Sequence, residues 1–305
     1  MFVVNETYLD VKGTLSVSPT DNIIIKPTFT KGTSAEVYKL ENAIVIGGQI
    51  KFLGSSTNIK SGSLTWDVVP IENSTGYDIY AQKIAYDNFT SGLWYEDFGR
   101  ALDEKYLTPL EEKNRKEMFE KIDMIEKESD FRHVMASLAG NVYANMNQRE
   151  EDTARVLENS LDLLENSTNN TKENVKVNII AGKGKNSEDT DGVVGYDYST
   201  AGVLGLREIE RTYRHTFGYS LGYLHTGFEF KDGNDSEEWV DTIQLGVHSK
   251  YNLNDWKLRN DLTGRVSFHN VDRNLDWSAP LGRSEMNGTY ETYSITSDNI
   301  LGKEF

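Results

Sequence analysis

Apolar and polar residues alternate along the C-terminal part of this chain in runs of about 9–13 residues. Ile243, Leu245 and Val247, for example, alternate with glutamine, glycine and histidine. Because successive side chains of a β-strand point to opposite faces, this pattern predicts strands with one apolar face. Strands of soluble domains average about 5–6 residues, whereas about 9–11 are needed to cross a bilayer. The alternation therefore favours a membrane-spanning antiparallel barrel over a soluble sandwich.

The connections between these predicted strands alternate in length. Turn-forming residues indicate a long connection at 184–192, a short one near 209–213, a medium one at 231–238, a short one at 252–255 and a long one at 271–288. Outer-membrane barrels have short turns at one end and longer loops at the other. A soluble meander has no reason to follow that order, so the connections favour the same class.

The two faces of the predicted strands differ in chemistry. One face is aliphatic and aromatic and is expected to contact lipid, and the other mixes glycine and serine with charged residues, as suits a water-filled or helix-filled interior. The residues expected to face lipid are Phe217, Tyr219, Leu221, Ile243, Leu245, Val247, Leu258, Leu262 and Val266. The aromatic residues expected at the membrane interfaces are Tyr196, Tyr198, Tyr219, Tyr223, Tyr251 and Trp256.

The rest of the chain divides into two further zones. Residues 1–94 contain short β-branched runs interrupted by turn signals, which is typical of strands. Residues 95–174 carry apolar residues at spacings of three and four, as at Phe131, Val134 and Met135, which predicts amphipathic helices. The expected domains are therefore 1–94, 95–174 and 175–305.

Composition excludes several classes of function. The formal net charge of −16 argues against nucleic acid as a partner, because phosphate binding needs a basic surface. The absence of cysteine excludes disulfides, thiolate catalysis and cysteine-ligated zinc. The histidines show no metal-binding spacing, so we expect neither a metal nor another cofactor.

One segment and two strands resemble a known family. Leu138, Gly140, Tyr143 and Ala144 form an L-x-G-x-x-Y-A stretch, which resembles the segment that precedes the translocator barrel of monomeric autotransporters of the type V secretion pathway. The predicted strands at 195–205 and 217–224 resemble the second and third strands of that barrel. The resemblance covers about residues 130–270.

The resemblance implies a fold and a function. The chain would be mainly β, with a β-helix-like passenger end, a helical linker and a partial outer-membrane barrel. The family's barrel has twelve strands and about six fit between Val175 and Phe305, so we expect further strands beyond Phe305. The domain would secrete an upstream passenger, such as an adhesin, and anchor it at the cell surface. Its expected partners are outer-membrane lipid, the outer-membrane assembly machinery and periplasmic chaperones.

Two other functions remain open from the residues alone. A secreted β-rich adhesin module would lack membrane contact and would be soluble without detergent. A serine esterase would use Ser220, because residues 218–222 match the G-x-S-x-G motif of α/β-hydrolases. That motif requires a turn between a strand and a helix, whereas here the alternation continues through it. We therefore expect no enzyme.

Charged residues predict how the last helix of the linker is placed. The acids Glu158, Asp162 and Glu165 lie three and four residues apart, on the segment from Glu150 to Glu165. The basic residues expected on the inner face of the strands are Arg207, Lys257, Arg259 and Arg265. Since unpaired charges in a poorly hydrated interior are costly, we expect the helix to lie on this face with an acid near Arg259 or Arg265. The alternative is that both sets are solvated.

Overall fold

A computed structural model describes most of the chain. The residues described are 2–3, 9–11, 22–25, 27–28, 37–46, 59–74, 76–106, 113–167, 171–187, 190, 192–278 and 281–303. They form two compact units, the first made of residues 1–140 with 275–284 and the second of residues 141–274 with 285–305. None of the described helices is long and apolar enough to cross a membrane.

The first unit begins with strands. Their bounds are β1 Phe2–Val3, β2 Leu9–Val11, β3 Ile23–Ile25, β4 Pro27–Thr28, β5 Val37–Ile46, β6 Ile59–Ser61, β7 Trp66–Asn73 and β8 Gly76–Lys83. The pairs β1–β4, β2–β5 and β3–β6 are parallel, as in a β-helix, whereas β8 pairs with both β5 and β7 in antiparallel fashion. This mixed order departs from the expected β-helix-like arrangement. The buried apolar cluster of these strands contains Ile25, Ala43, Ile59, Val68, Tyr77 and Ile79.

Short helices follow the strands. Their bounds are α1 Asp87–Thr90, α2 Glu96–Tyr106, α3 Lys113–Asp123 and α4 Glu128–Leu138. Ile122, Phe131, Val134 and Met135 are completely buried. They belong to the apolar stripe that the sequence shows, so the helical period in this part of the chain was identified correctly.

The carboxylate of Asp123 is the polar centre of this unit. It is buried and accepts hydrogen bonds from Thr65 Oγ1 at 2.7 Å and Trp66 Nε1 at 3.1 Å. It also accepts hydrogen bonds from the hydroxyls of Tyr86 and Tyr106, each at 2.8 Å. One side chain at the end of α3 thus joins donors from strand β7, its preceding segment and the helical region.

Lys83 completes this buried centre. Its ammonium lies 3.5 Å from Asp123 Oδ1 and 3.6 Å from the centre of the Tyr86 ring. Burial lowers the pKa of Lys83, while the nearby Asp123 carboxylate opposes that shift. Burial also raises the pKa of Tyr86, so its hydroxyl remains a donor to Asp123. The arrangement leaves the carboxylate with both its counter-charge and its hydrogen bonds satisfied.

The second unit is a long-stranded antiparallel sheet with one helix. The bounds are α5 Met146–Asn166, β9 Glu173–Asn186, β10 Tyr196–Thr212, β11 His215–Phe230, β12 Glu237–Leu253, β13 Trp256–Asp276 and β14 Arg283–Lys303. The strands lie side by side in sequence order from β9 to β14. Two-residue turns join β10 to β11 and β12 to β13, and the other connections are longer. The predicted alternation of connection lengths is therefore confirmed, although the strands, at 14–21 residues, exceed the expected runs.

The two faces of this sheet are the inner face, which α5 covers, and the outer face opposite. On the outer face Leu221, Leu245 and Leu262 are 60%, 63% and 50% exposed, as expected for lipid-facing positions. The assignment of aromatic residues to the membrane interfaces was wrong for β10. Tyr196 is completely buried on the inner face and Tyr198 is half-buried, because the even positions of β10 point toward α5. Neither residue is an interfacial aromatic.

Replacing Asp123 with alanine should destabilise the first unit strongly. The change leaves Lys83 buried without its counter-charge and removes the acceptor of four donors, so the free energy of unfolding should fall by about 3–5 kcal/mol. Urea unfolding followed by the fluorescence of Trp66, in a background where the other four tryptophans are replaced by phenylalanine, measures the change. Asp97→Ala is the matched control, since the Asp97 side chain is 95% exposed, and should cost less than about 0.5 kcal/mol. Equal stabilities of the two variants would show that Asp123 is not the polar centre.

Candidate functional site: the interface between helix α5 and the sheet

Helix α5 packs on the inner face through an apolar cluster. Its members are Leu157, Leu161, Leu164, Ile180, Leu204, Leu206 and Leu224. Gly222 permits the close approach, because a Cβ at this position would lie 2.6 Å from Leu204 Cδ1 and 3.3 Å from Leu157 Cδ2. Glycine in β11, which the sequence showed as an alternating small residue, thus makes room for the helix.

The middle of the helix carries the first predicted charge pair. Arg265 Nη2 lies 2.6 Å from Glu158 Oε1, and Arg265 Nε donates to Gln244 Oε1 at 2.8 Å. Arg265 Nη1 donates to Thr296 Oγ1 at 3.1 Å. The guanidinium is buried, and these partners from α5, β12 and β14 satisfy all three of its nitrogens.

The C-terminal end of the helix carries the other predicted residues. Arg259 Nη2 lies 2.7 Å from Asp162 Oδ1, and Arg259 Nη1 lies 3.2 Å from Glu165 Oε2. Arg259 Nε lies 2.9 Å from Asp261 Oδ2 on its own strand. The structure therefore brings Glu158, Asp162 and Glu165 to Arg265 and Arg259 on the inner face.

Two lysines of the sheet bind the last carbonyls of α5. Lys176 Nζ donates to Leu164 O and to Ser167 O, both at 2.8 Å, and Lys250 Nζ donates to Glu165 O at 3.0 Å. The final carbonyls of a helix lack partners within the helix and carry partial negative charge. The sheet thus supplies both the donors and the positive charge that this helix end needs.

The same lysines take part in a network with balanced charge. Glu208 lies 2.6 Å from Lys176 Nζ and 2.7 Å from Lys250 Nζ. Counting only its most buried ions, the network has three carboxylates and three cations. They are Glu165, Glu208 and Asp261 with Lys176, Lys250 and Arg259. Equal numbers of opposite charges are what burial in a medium of low dielectric favours.

A second buried charge cluster lies at the N-terminal end of α5. Arg149 Nε is 2.7 Å from Glu238 Oε2, and both side chains are almost fully buried. The His269 ring lies between Glu238 at 2.8 Å and Glu150 at 3.0 Å, and stacks on Tyr290 with 4.1 Å between centroids. The pairing in this cluster could not be identified from the sequence, because only the strand register brings His269 and Glu238 together on neighbouring strands. Both residues occupy the polar positions of the alternating pattern, which predicts the inner face, and this was the sequence signal that could have indicated the cluster.

Ser220 takes part in an unexpected arrangement. His248 Nε2 lies 2.8 Å from Ser220 Oγ, and His248 Nδ1 lies 3.0 Å from Asp261 Oδ1. This is the order of groups in a serine hydrolase relay. Gly246 leaves room for it, because a Cβ there would lie 2.6 Å from Ser220 Oγ. Ser220 lies in the middle of β11, as expected, and pairs with Leu206 on one side and Gly246 on the other. The backbone N–H groups next to Ser220 are therefore used in the hydrogen bonds between strands. None of them is left to stabilise an oxyanion.

The same place gathers possible metal ligands. Ligand atoms of Glu165, His248 and Asp261 all lie within 4.8 Å of one another. Arg259 already contacts both carboxylates, and Lys250 lies 3.6 Å from Glu165. Those cations neutralise the negative charge that would otherwise attract a metal ion, so the cluster fits a salt-bridge network better than a metal centre.

Two further basic residues were expected on the inner face, and one of them lies on the outer face. Arg207 is exposed on the outer side, where it contacts Glu173 at 3.3 Å and donates to the Tyr219 hydroxyl at 2.8 Å. The even-numbered residues of β10 face inward, so the odd-numbered Arg207 faces outward, as Val203 does. Lys257 has the parity of Arg259 and is exposed near the turn between β12 and β13. Arg207 is therefore not part of the site.

Comparison with known families covers both ends of the chain. Residues 1–85 match a family model described as the BigA beta sandwich domain, which agrees with the antiparallel β5–β8–β7 order better than a β-helix does. Residues 175–305 match the Autotransporter beta-domain. No curated protein matches the chain. Neither description is that of an enzyme. The long-stranded segment at residues 175–305 is therefore the translocator β-domain of an autotransporter of the type V secretion pathway, located in the outer membrane with its passenger at the cell surface.

Proposed function

We propose that this translocator domain anchors its passenger through helix α5, which the paired charges of the inner face hold in the barrel interior. The observation that supports this is the distribution of partners along α5. Its N-terminal end, its middle and its C-terminal end each contact a buried cation or acid of the sheet, at Glu238, Arg265 and Arg259. A helix held at three points resists withdrawal along its axis.

The proposed division of labour follows the three sequence zones. Residues 1–94 form the end of the passenger, which acts as an adhesin or supports one, and residues 95–174 link it to the membrane and include α5. Residues 175–305 carry the membrane strands. Strands with one exposed apolar face would aggregate in water, so periplasmic chaperones and the outer-membrane assembly machinery are the partners that this segment requires. The domain acts as an anchor and conduit and not as an enzyme.

The soluble-adhesin alternative conflicts with the outer face. Val177 and Ile179 on β9 and Leu245 on β12 are more than 60% exposed, and a soluble protein rarely leaves such a surface in contact with water. Solubility of the protein without detergent is the result that would favour this alternative.

Arginine at Leu245 should impair membrane assembly. Because Leu245 lies in the middle of the outer apolar band, a charge there should cost about 2–4 kcal/mol in the bilayer. Leu253→Arg is the control, since Leu253 is the last residue of β12 and lies near the interface, where the cost is about 0–1 kcal/mol. Urea unfolding of the protein in lipid vesicles measures both. Equal costs at the two sites would contradict the proposed membrane depth.

Valine at Gly222 should displace α5 from the sheet. An engineered disulfide reports the position of the helix: Ser160→Cys and Asn178→Cys replace side chains that are hydrogen-bonded at 2.8 Å, in a chain with no cysteine of its own. Gly222→Val should lower the yield of this disulfide in outer membranes, because its Cβ would overlap Leu204 and crowd Leu157. Gly264→Val, where a Cβ meets nothing within 4 Å, should leave the yield unchanged. If both valines behaved alike, close packing of the helix at Gly222 would be refuted.

Reversing one predicted pair tests the proposed anchoring. Arg265→Glu places a carboxylate at a buried position beside Glu158, whose side chain is 44% exposed. The change should lower the disulfide yield and the surface display of the passenger, because a buried carboxylate without an opposite charge is costly. Adding Glu158→Arg restores opposite charges and should recover both quantities in part. The display is measured by antibody binding to an epitope in residues 1–94. If the passenger were displayed normally although the helix was displaced, helix placement would not be required for display, and the anchoring proposal would be refuted. The assignment as a translocator domain would be unaffected.

A further inference from the structure

A groove runs along the outer face of the sheet, away from α5. It consists of two adjoining depressions of about 540 and 520 Å³ that share Lys183, Ser199 and Gly227. Its floor is made of small residues, among them Ala181 and Ala201. The shared residues are neighbours in the strand register, since Ser199 lies opposite both Lys183 on β9 and Gly227 on β11. The groove is therefore about two strand spacings wide, or roughly 10 Å.

One wall of the groove is cationic. Lys183 and Lys185 project from the same face of β9, and no carboxylate of the described residues lies within ion-pair distance of either lysine. Of the carboxylates that line the groove, Asp197 lies 2.7 Å from Lys231 Nζ, which leaves Glu229 at the end nearest the connection. Asp197 is also the strand partner of Lys185, so Lys183 is the lysine farther from a carboxylate. Together with Lys231, the two lysines outnumber Asp197 and Glu229, and this excess of positive charge favours an anion.

The opposite wall is aromatic and presents a histidine. The Trp239 ring stacks on His225 at 5.8 Å between centroids, and a Cβ at Gly227 would lie 2.6 Å from Trp239 Cζ3. His225 Nδ1 lies 2.8 Å from Asp241 Oδ1. This contact holds the imidazole ring in place beside the groove.

The groove lies at the edge of the apolar band of the outer face. On β9 the exposed Ile179 is followed on the same face by Ala181 and then Lys183, and on β10 Val203, Ala201 and Ser199 succeed one another in the same direction. These positions lead toward the longer connections, which face the cell surface in outer-membrane barrels. The cationic wall is therefore at the height of the lipid headgroups in the outer leaflet, with an apolar surface leading down from it.

We propose that this groove binds the phosphate of an outer-leaflet lipid headgroup. The ammonium of Lys183 and the hydroxyl of Ser199 are the donors for the phosphate, and Lys185 adds positive charge. An acyl chain of the same lipid lies over Ala181 and Ala201 and continues onto the apolar band. Trp239 closes the side of the groove at the interface, where this residue type is favoured. Charge-assisted bonds to phosphate are the strongest of these contacts.

Native mass spectrometry of the protein extracted from outer membranes in a neutral detergent tests this proposal. The probe is bisphosphorylated lipid A, compared with the same lipid lacking both phosphates and with inorganic phosphate as a competitor. The wild-type protein should retain the phosphorylated lipid. Lys183→Gln with Lys185→Gln should weaken its binding by about tenfold or more. Inorganic phosphate at equal concentration should not displace it, because it lacks the apolar contact.

Two further variants keep the test independent of general charge and of folding. Lys172→Gln removes an exposed lysine just before β9, at the other end of the strand, and should bind the lipid as the wild type does. Ser199→Leu fills the groove while both lysines remain, and should also weaken binding. Equal binding by the double lysine variant or by the dephosphorylated lipid would overturn the proposal. Displacement of the lipid by inorganic phosphate alone would overturn it in favour of a free-phosphate site.

Discussion

The arrangement of the second unit depends on charge neutralisation between helix α5 and the inner face of the sheet. Arg259 and Arg265 are largely buried, and a buried cation without a partner is costly. The helix supplies Asp162, Glu165 and Glu158 at the spacing that these arginines require. Sheet and helix are therefore complementary, and neither surface would be suitable for burial without the other.

Small residues of the sheet allow the helix and the side chains of the inner face to approach closely. Gly222 and Gly246 occupy inner positions of adjacent strands, and a Cβ at either would collide with a neighbouring side chain. The space at Gly222 admits Leu157 of the helix, whereas the space at Gly246 admits the hydrogen bond between Ser220 and His248. The glycine and serine of the inner face thus serve packing and hydrogen bonding, which explains a hydrolase-like sequence motif in a strand that offers no oxyanion site.

Sequence reasoning succeeded where one strand or one helix carries the whole signal. Period-two alternation identified β9 to β14, and acids at spacings of three and four indicated the helix face that meets Arg259 and Arg265. It failed at β10, because Tyr196 and Leu204 make its inner positions as apolar as an outer face. Hydrophobicity cannot distinguish a face covered by lipid from one covered by leucines of a helix. The same error placed Arg207 inside.

Clusters that depend on register could not be derived in that way. His248 meets Asp261 because these residues are partners between β12 and β13, and His269 meets Glu238 diagonally across the same pair of strands. A register shifted by one residue would separate the four residues of these two pairs, and a single sequence does not determine the register. The alternating parity of these residues limits them to the inner face, and only pairing between strands selects the partners.

Buried ion pairs also suit a helix that must stop at one position. Such pairs add little net stability, because desolvation offsets most of the Coulomb attraction, but a wrong pairing is expensive. An apolar helix could slide along the leucines of the inner face at small cost for each step. With Glu238 held by Arg149, Arg265 by Glu158 and Arg259 by Asp162, a shift of one turn would break all three contacts together. Specific placement, more than added stability, is what these charges provide to a domain that holds a passenger at the membrane.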